Sequence, residues 1–570
     1  MKLRNIIIAA SALAAVSCSY LDVDETSGII KREDLYGDFS RVKSMLTKVY
    51  VSMPYYNGFS FANGSVNNLA MRDCASDDAE FGAASALIQN VNNGNWSATN
   101  TWDDAWSLYE GIRYANMFLA DFDSVDISQN YPNGGYEKDM AQMQYYPYEA
   151  RVLRAYYFFE LARRYGDIAM PLKVLTKDEA NSIGKTSFDK VIDFIVSECT
   201  ESAEELPTTF KGVGSADEIG RVTKGFALAL KTKALLYAAS PLHNESGDAE
   251  KWKAAARAAQ EVMDLGVYAL DKDGCWNNTV SSELILARMY GVNNSSYELY
   301  NFPVRFTYGG RSAAFISGGN YPSQNLVDAF ETVNGYKVTL DESGWHSDDP
   351  SFREQQPYAN RDPRLARTIL ADGMSFKGET LETYEGGADD VSVPMGGSAT
   401  GYFVRKYIQE DVSFDPTSPV SYQHHWVVSR YAEILLSYAE AMVNAFGDGG
   451  YSDGEFKRSA LSALNEVRTN AGMPAVVNDS KANLIERIQN EWRVEFAFED
   501  HRFWDVRRWK IGDRTQRQLY GVYITRNNNV KIYRRKLVEN RVWSERMNLY
   551  PIPQSELFIN GNLYPQNPQW

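Results

Sequence analysis

Cysteine is scarce in this 570-residue chain, with four in all, and histidine hardly less so, with five. After Cys18 come Cys74, Cys199 and Cys275, at spacings that match no zinc or iron–sulfur pattern. These three allow at most one disulfide. Cys199 continues the helical pattern of Ile192, Ile195 and Val196, so a small buried side chain is expected there. The one adjacent histidine pair, His424-His425, is a poor chelate. Neighbours point about 100° apart on a helix and to opposite faces on a strand. No cofactor and no catalytic metal are expected; a loop-bound Ca²⁺ is compatible with the sequence but not indicated by it. Beyond the N-terminus there is no apolar run of about 18 residues, so no membrane-spanning helix is expected. Net positive charge is also missing. A formal charge of −16 argues against nucleic acid and against wrapping on anionic lipid, and suits a neutral ligand better.

The chain opens with a greasy run. Lys2 and Arg4 form a positive n-region, and Ile6 to Val16 an apolar stretch. The run has about half of the roughly 20 residues a spanning helix needs, so residues 1–17 are expected to be a secretory signal peptide. The small residues of Ala14-Ala15-Val16-Ser17-Cys18 resemble a bacterial lipobox, in which Cys18 becomes the lipid-modified first residue. Residues 18–38 are then a lipid-anchored N-terminal segment.

Aromatic residues are abundant, at 13% of the chain, and helical periodicity dominates. In Tyr148–Gly166, Ala150, Leu153, Tyr157, Phe158, Leu161 and Tyr165 share one face, and Gly166 follows as a C-cap glycine. Val222–Ser240, Lys251–Leu265, Arg430–Phe446 and Phe456–Ala471 repeat the scheme. Asn483–Arg508 is expected as the longest helix. The helices pair as 39–52 with 101–122, 140–166 with 187–206, 222–240 with 250–265, and 428–446 with 455–472. The fold expected is mainly α, a scaffold of about four helix pairs similar to tetratricopeptide units. Residues 39–266 form this scaffold and carry early binding loops. Residues 267–427, rich in Gly-Gly, Asn-Asn and Asp-Gly turns, form an irregular ligand-facing insertion. Residues 428–509 complete the scaffold, and 510–570 pack on it as a C-terminal tail.

Seven segments, in order, resemble the SusD/RagB family of outer-membrane nutrient-binding lipoproteins. They are Cys18-Ser19-Tyr20-Leu21-Asp22-Val23; Trp106 with Tyr109, Ile112 and Ala115-Asn116; Glu149-Ala150-Arg151 through Tyr165-Gly166-Asp167; Asn360-Arg361-Asp362-Pro363-Arg364; Arg430-Tyr431-Ala432-Glu433 with Ala439-Glu440-Ala441; Arg493 through Asp505; and Leu549-Tyr550-Pro551-Ile552-Pro553 with Gln566-Asn567-Pro568. The resemblance implies a tetratricopeptide-like frame and a less regular ligand-facing half. It also implies a place on the outer face of the outer membrane and a SusC-like TonB-dependent barrel as partner. The ligand implied is a glycan or, in some members, a peptide, with no catalysis.

Glu491, Glu495 and Glu499 stand at i, i+4 and i+8. In line on one helix face they cannot flank a sugar as a glycosidase pair does, so an ion network with Arg487, Arg493, Arg502, Arg507 and Arg508 is expected, and a glycoside hydrolase is disfavoured. His501 is expected to be a packing residue. Trp106, Trp252, Trp492, Trp504 and Trp509 fall at apolar helix positions and are expected in the core, with Trp426 packed beside them. Trp96, Trp276 and Trp345, flanked by turn residues, are candidate sugar platforms, because an indole face complements the C–H face of a sugar. Trp102, at a helix start, and Tyr290, Tyr297 and Tyr300, in the insertion, are weaker candidates. Asp77, with Asp78 beside it, could accept hydroxyl hydrogen bonds.

Overall fold

The structure is a computed structural model and describes residues 36–54, 70–128, 135–214, 219–291, 296–307, 319–392 and 397–570. Cys18 and the expected signal peptide lie outside them. Ten principal helices build a frame: α1 (Phe39–Val51), α2 (Leu108–Asp121), α3 (Tyr146–Tyr165), α4 (Phe188–Glu205), α5 (Lys224–Ala239), α6 (Ala249–Asp264), α7 (Tyr431–Phe446), α8 (Ala460–Asn470), α9 (Lys481–Glu495) and α10 (Arg502–Arg508). From α1 to α8 each helix packs on the one before it and the one after it. The packing of α6 on α7 spans the whole irregular segment between them, which is therefore an insertion into a continuous helical array. The four expected pairs are all present.

Helix α3 is buried on every side and forms the spine. Its charged residues are inside and paired. Arg154 meets Glu198 at 2.8 Å, Arg163 and Arg164 share Glu160, and Arg164 reaches Asp103 at 3.1 Å. A buried charge is tolerated only with such partners. Gly166 ends the helix at φ 69°, a backbone conformation that glycine takes without steric cost.

The expected single helix over 483–508 is two. α9 stops at Glu495, α10 begins at Arg502, and Phe498 and Asp500 between them have φ of 60° and 65°. Side chains from distant parts of the chain capture the groups that a helix would use. Lys406 Nζ donates to the Glu495 and Ala497 carbonyls (3.0 and 3.1 Å), and Phe498 N donates to Asp73 Oδ1 (3.0 Å). Apolar periodicity runs through the break, so the sequence pattern alone shows one helix.

Six strands are used below: β1 (Ala79–Phe81), β2 (Leu284–Met289), β3 (Asn320–Pro322), β4 (His425–Arg430), β5 (Gln518–Asn527) and β6 (Val530–Asn540). Among the described residues, all the sheets are two-stranded and antiparallel. β1 pairs with β3, tying the early loop block to the insertion, and β2 pairs with β4, closing the insertion at its base. The β5–β6 hairpin was not anticipated within the C-terminal tail. Its signal is the Asn527-Asn528-Asn529 turn, with Asn528 and Asn529 at φ 46° and 68°, between two runs with β-branched and aromatic residues.

Candidate ligand-binding site

Most of the sequence-predicted site residues are interior. Trp96 is 1% exposed, edge-on to Tyr550 at 4.7 Å and to Trp570 at 5.0 Å. Trp345 is 2% exposed, held edge-on by Tyr358 and Tyr533. Trp102 is buried against Phe503. Tyr290 is buried, and Tyr297 is fully buried with its hydroxyl donating to Lys406 O at 2.9 Å. None of these rings offers a face to a sugar. Turn residues flank Trp96 and Trp345 in the chain, but an indole in a loop buries as much apolar area as one in a helix when the loop folds over it. Trp276 is half-buried and its face is taken: Lys406 Nζ stands 4.5 Å from the ring centroid, and the adjoining cavity of about 10 Å³ is too small for a sugar. Among the described residues, Tyr300 alone of the candidate rings is half-buried with no ring or cation over it. Trp106, expected in the core, is likewise only half-buried.

Asp77 is also interior, at 4% exposure. Arg502 Nε and Gln516 Nε2 donate to its Oδ1, and Arg493 Nη2 stands 2.9 Å from its Oδ2. Burial opposes its ionisation, but the Arg493 and Arg502 guanidiniums prevail and hold the carboxyl well below the usual range. Asp78 is paired with Arg493 at 2.7 Å. Both are struts between the early loop block and α9–α10.

Glu491, Glu495 and Glu499 are paired, with different arginines from those expected. Glu491 binds Arg364 and Arg468; Glu495 binds Arg364 and Arg430; Glu499 binds Arg430 and Lys406. Glu499 lies beyond the end of α9. The nearby arginines go elsewhere: Arg487 to Glu331, Arg493 to Asp77 and Asp78, Arg502 to Asp77, and Arg508 to Glu440 and Asp505. Arg507 stacks on Phe503 at 3.4 Å. Closeness along the chain is thus a poor guide to ion pairing here. His501 packs against Phe496 at 4.3 Å, and burial with four nearby cations keeps it neutral well below its ordinary pKa.

Accessible polar and aromatic side chains occur together on the loop-rich half. Arg305 is fixed by Asp389 at 2.9 Å and by Glu379, with its guanidinium 4.6 Å from the ring of half-buried Phe306. The 379–390 loop carries this cluster to the hairpin, where Glu385 N donates to Ile524 O and Tyr523 donates to the Glu385 carboxylate. Phe306 and Tyr523 were not singled out from the sequence; each follows an apparently ordinary chain segment, and no local pattern separates them from core rings. A cleft of about 540 Å³ opens between this half and α9. Asn483, Glu486, Arg487 and Asn490 line one wall at helical spacing, and Asp328 and Lys337 the other. Tyr520 N bonds to Asn325 at the edge of the cleft, and Arg535 lies 4.1 Å from the Tyr520 ring. Amides, carboxylates and guanidiniums in a concave wall can pair with hydroxyl groups in both directions. Among the described residues, no cluster of three or more His, Cys, Asp or Glu could hold a metal ion, and no helix is long and apolar enough to cross a membrane.

Comparison with known proteins agrees with this architecture. Residues 19–233 match a family model described as starch-binding associating with outer membrane, and residues 282–570 match the SusD family model. A SusD-like protein of Formosa agariphila is 25% identical over 592 aligned residues, covering all of both chains. Among solved structures, a SusD-like protein from Bacteroides fragilis is 26% identical with a TM-score of 0.76, covering 95% of this chain and 99% of that one. Another from the same organism, named a SusD-like carbohydrate binding protein, is 25% identical with a TM-score of 0.71, covering 93% and 100%. With half the chain matched by one family model and more than nine-tenths of it aligned with solved relatives, this protein belongs to the SusD family.

Proposed function

We propose that this protein is a cell-surface lipoprotein, anchored through Cys18 in the outer membrane, that captures oligosaccharide or polysaccharide without cleaving it. It passes the glycan to a SusC-like TonB-dependent barrel. The observation that carries the reading is the full-length similarity to a solved carbohydrate-binding relative, together with the family model for outer-membrane starch binding. The loop-rich half suits the role: half-buried Tyr300 and Tyr523 can stack on sugar rings, while the polar cleft takes hydroxyls. The carboxylates that a hydrolase would need in the sixth motif are instead engaged by arginine and lysine.

The test uses the chain from residue 19 onward in native gels cast with single polysaccharides. Retardation by at least one polymer, with no reducing ends released on long incubation, is the expected result. Turnover of a polymer, or retardation by none while a peptide mixture binds in calorimetry, would sink the reading. Co-purification of a large β-barrel with the tagged lipoprotein is expected from outer membranes.

A further inference from the structure

The helical frame carries a cavity of its own, about 250 Å³, between α2, the 169–183 segment and a short C-terminal helix, α11 (Gln554–Ile559). Trp106 and Tyr109, half-buried and 5.1 Å apart at 61°, line it, with Ile559 and Leu563 from the C-terminal segment. Six charged or amide side chains also line it: Arg113, Asn116, Lys173, Asn181, Glu556 and Asn560. Burial, first of all, raises the pKa of the Glu556 carboxyl, and the neighbouring Trp106 indole N–H opposes that rise. The C-terminal segment is stitched down, with Asn560 Nδ2 donating to Ile183 O at 2.9 Å and Asn562 Nδ2 to Ser182 O at 2.6 Å. The cavity is therefore a built feature of the fold.

We propose that this cavity is a second carbohydrate subsite, separate from the loop-rich half, that takes one pyranose ring of a neutral glycan. It extends the glycan reading above but rests on different residues. Its volume falls below the roughly 300–1,000 Å³ of pockets that take drug-sized ligands, which suits a single ring. It joins an accessible indole to a carboxylate, a guanidinium and an amide, the pairing that a sugar's C–H face and hydroxyl rim require. Phe558, 79% exposed, adjoins the lining residue Ile559 and raises the alternative of an apolar side chain from a protein partner. The lining is mostly apolar, but the charged and amide side chains set into it favour the sugar. Arg113 gives one N–H to Leu175 O at 3.1 Å, and an apolar occupant would desolvate the rest of that guanidinium and Glu556 without replacing their hydrogen bonds.

The test is ¹⁹F NMR of the chain from residue 19 labelled with 5-fluorotryptophan, titrated with glucose, galactose, mannose and N-acetylglucosamine to tens of millimolar. The Trp106 resonance is identified by its loss in Trp106→Phe. It should shift saturably with at least one sugar while the Trp276 resonance stays still. Glu556→Gln should weaken that binding about fivefold or more, and Phe558→Ser should leave it unchanged. No shift with any of the four sugars overturns the subsite. So does binding that ignores Glu556→Gln and is lost in Phe558→Ser, which marks a docking face instead. Gel retardation separates the two readings: a protein retarded by polysaccharide with a silent Trp106 loses only the subsite. One that titrates at Trp106 but is never retarded loses only the polymer-capture role.

Discussion

The helical frame and the loop-rich half satisfy their backbones in different ways. In the frame, carbonyls and amides pair four residues apart, and side chains are left to pack. In the loop-rich half, side chains from remote positions do much of this work, many of them cationic. Arg361 donates to the Pro357, Val327 and Phe330 carbonyls, and Lys377 to those of Glu410 and Val412. Arg541 holds the Ala79 carbonyl at 3.0 Å and also binds that of Ser76, pinning the early loop block. An irregular segment can be buried only if such groups are paired. A chain with net negative charge therefore keeps many of its arginines and lysines inside, as staples.

The largest expected effect tests whether the staples matter equally. Arg430 joins Glu283, Glu495 and Glu499 at 2% exposure, so Arg430→Met strands the buried Glu283 and leaves Glu495 and Glu499 with one cation each. A loss of about 3–5 kcal/mol in urea unfolding is expected. Arg305, partly exposed on the loop-rich face, should cost about 1 kcal/mol or less in Arg305→Met. Equal losses would erase the distinction between an internal hub and a surface cluster.

A second contrast lies inside the early loop block. Asp77 is paired with arginines and its pKa is lowered, so its contribution is present above pH about 4 and lost in acid. Four residues earlier, Asp73 has one oxygen, Oδ2, without a partner. Burial, then Asp78 and Asp500, push its carboxyl up to about 8. The folded state keeps a proton that the unfolded chain releases near pH 4, so this contribution falls as pH rises from about 4 to about 8. Asp73→Asn, which keeps the acceptor for Phe498 N, should gain on the parent across that window by a few kcal/mol, at about 1.4 kcal/mol per unit. A difference between the two that stays flat from pH 5 to 8 would refute this.

On the ligand side, Tyr300→Ala and Tyr523→Ala should weaken polysaccharide binding roughly five- to twentyfold, about 1–2 kcal/mol, with little change in thermal midpoint. Trp345→Ala should do the reverse, costing about 3–5 kcal/mol of stability because its ring is enclosed. Binding lost in a Trp345 variant that remains fully folded would restore that ring as a platform.

How far the sequence reaches follows from the same contrast. Helices α3, α5, α6 and α7 show in the sequence because their pairing and their apolar spacing are both local. The break at Phe496–His501 does not, because Asp73 and Lys406, which hold it open, lie hundreds or tens of residues away. The candidate rings failed for a related reason. Turn residues beside Trp96 and Trp345 report local backbone bends, whereas exposure is decided by Tyr550, Trp570, Tyr358 and Tyr533, which arrive from elsewhere. Cys199 lay on a helical pattern and is buried as expected.

The smallest effect asks whether the two halves unfold together. Gly447 caps α7 at φ 74°, and Gly378 turns a tight hairpin of the insertion at φ 81°. A Cβ on Gly447 would come no nearer than 3.8 Å to Lys481 Cδ, and one on Gly378 would meet nothing within 4 Å. Alanine at either site therefore costs backbone strain alone, about 1 kcal/mol. One contiguous hydrophobic cluster runs from Leu46 and Leu435 in the frame to Trp345 and Phe376 in the insertion. Burial shared in this way makes the two halves one cooperative unit, so Gly447→Ala and Gly378→Ala should shift a single denaturant midpoint by similar amounts. A biphasic transition, with each variant moving a different phase, would show that the insertion folds on its own terms and that the staples, not the shared core, hold it to the frame.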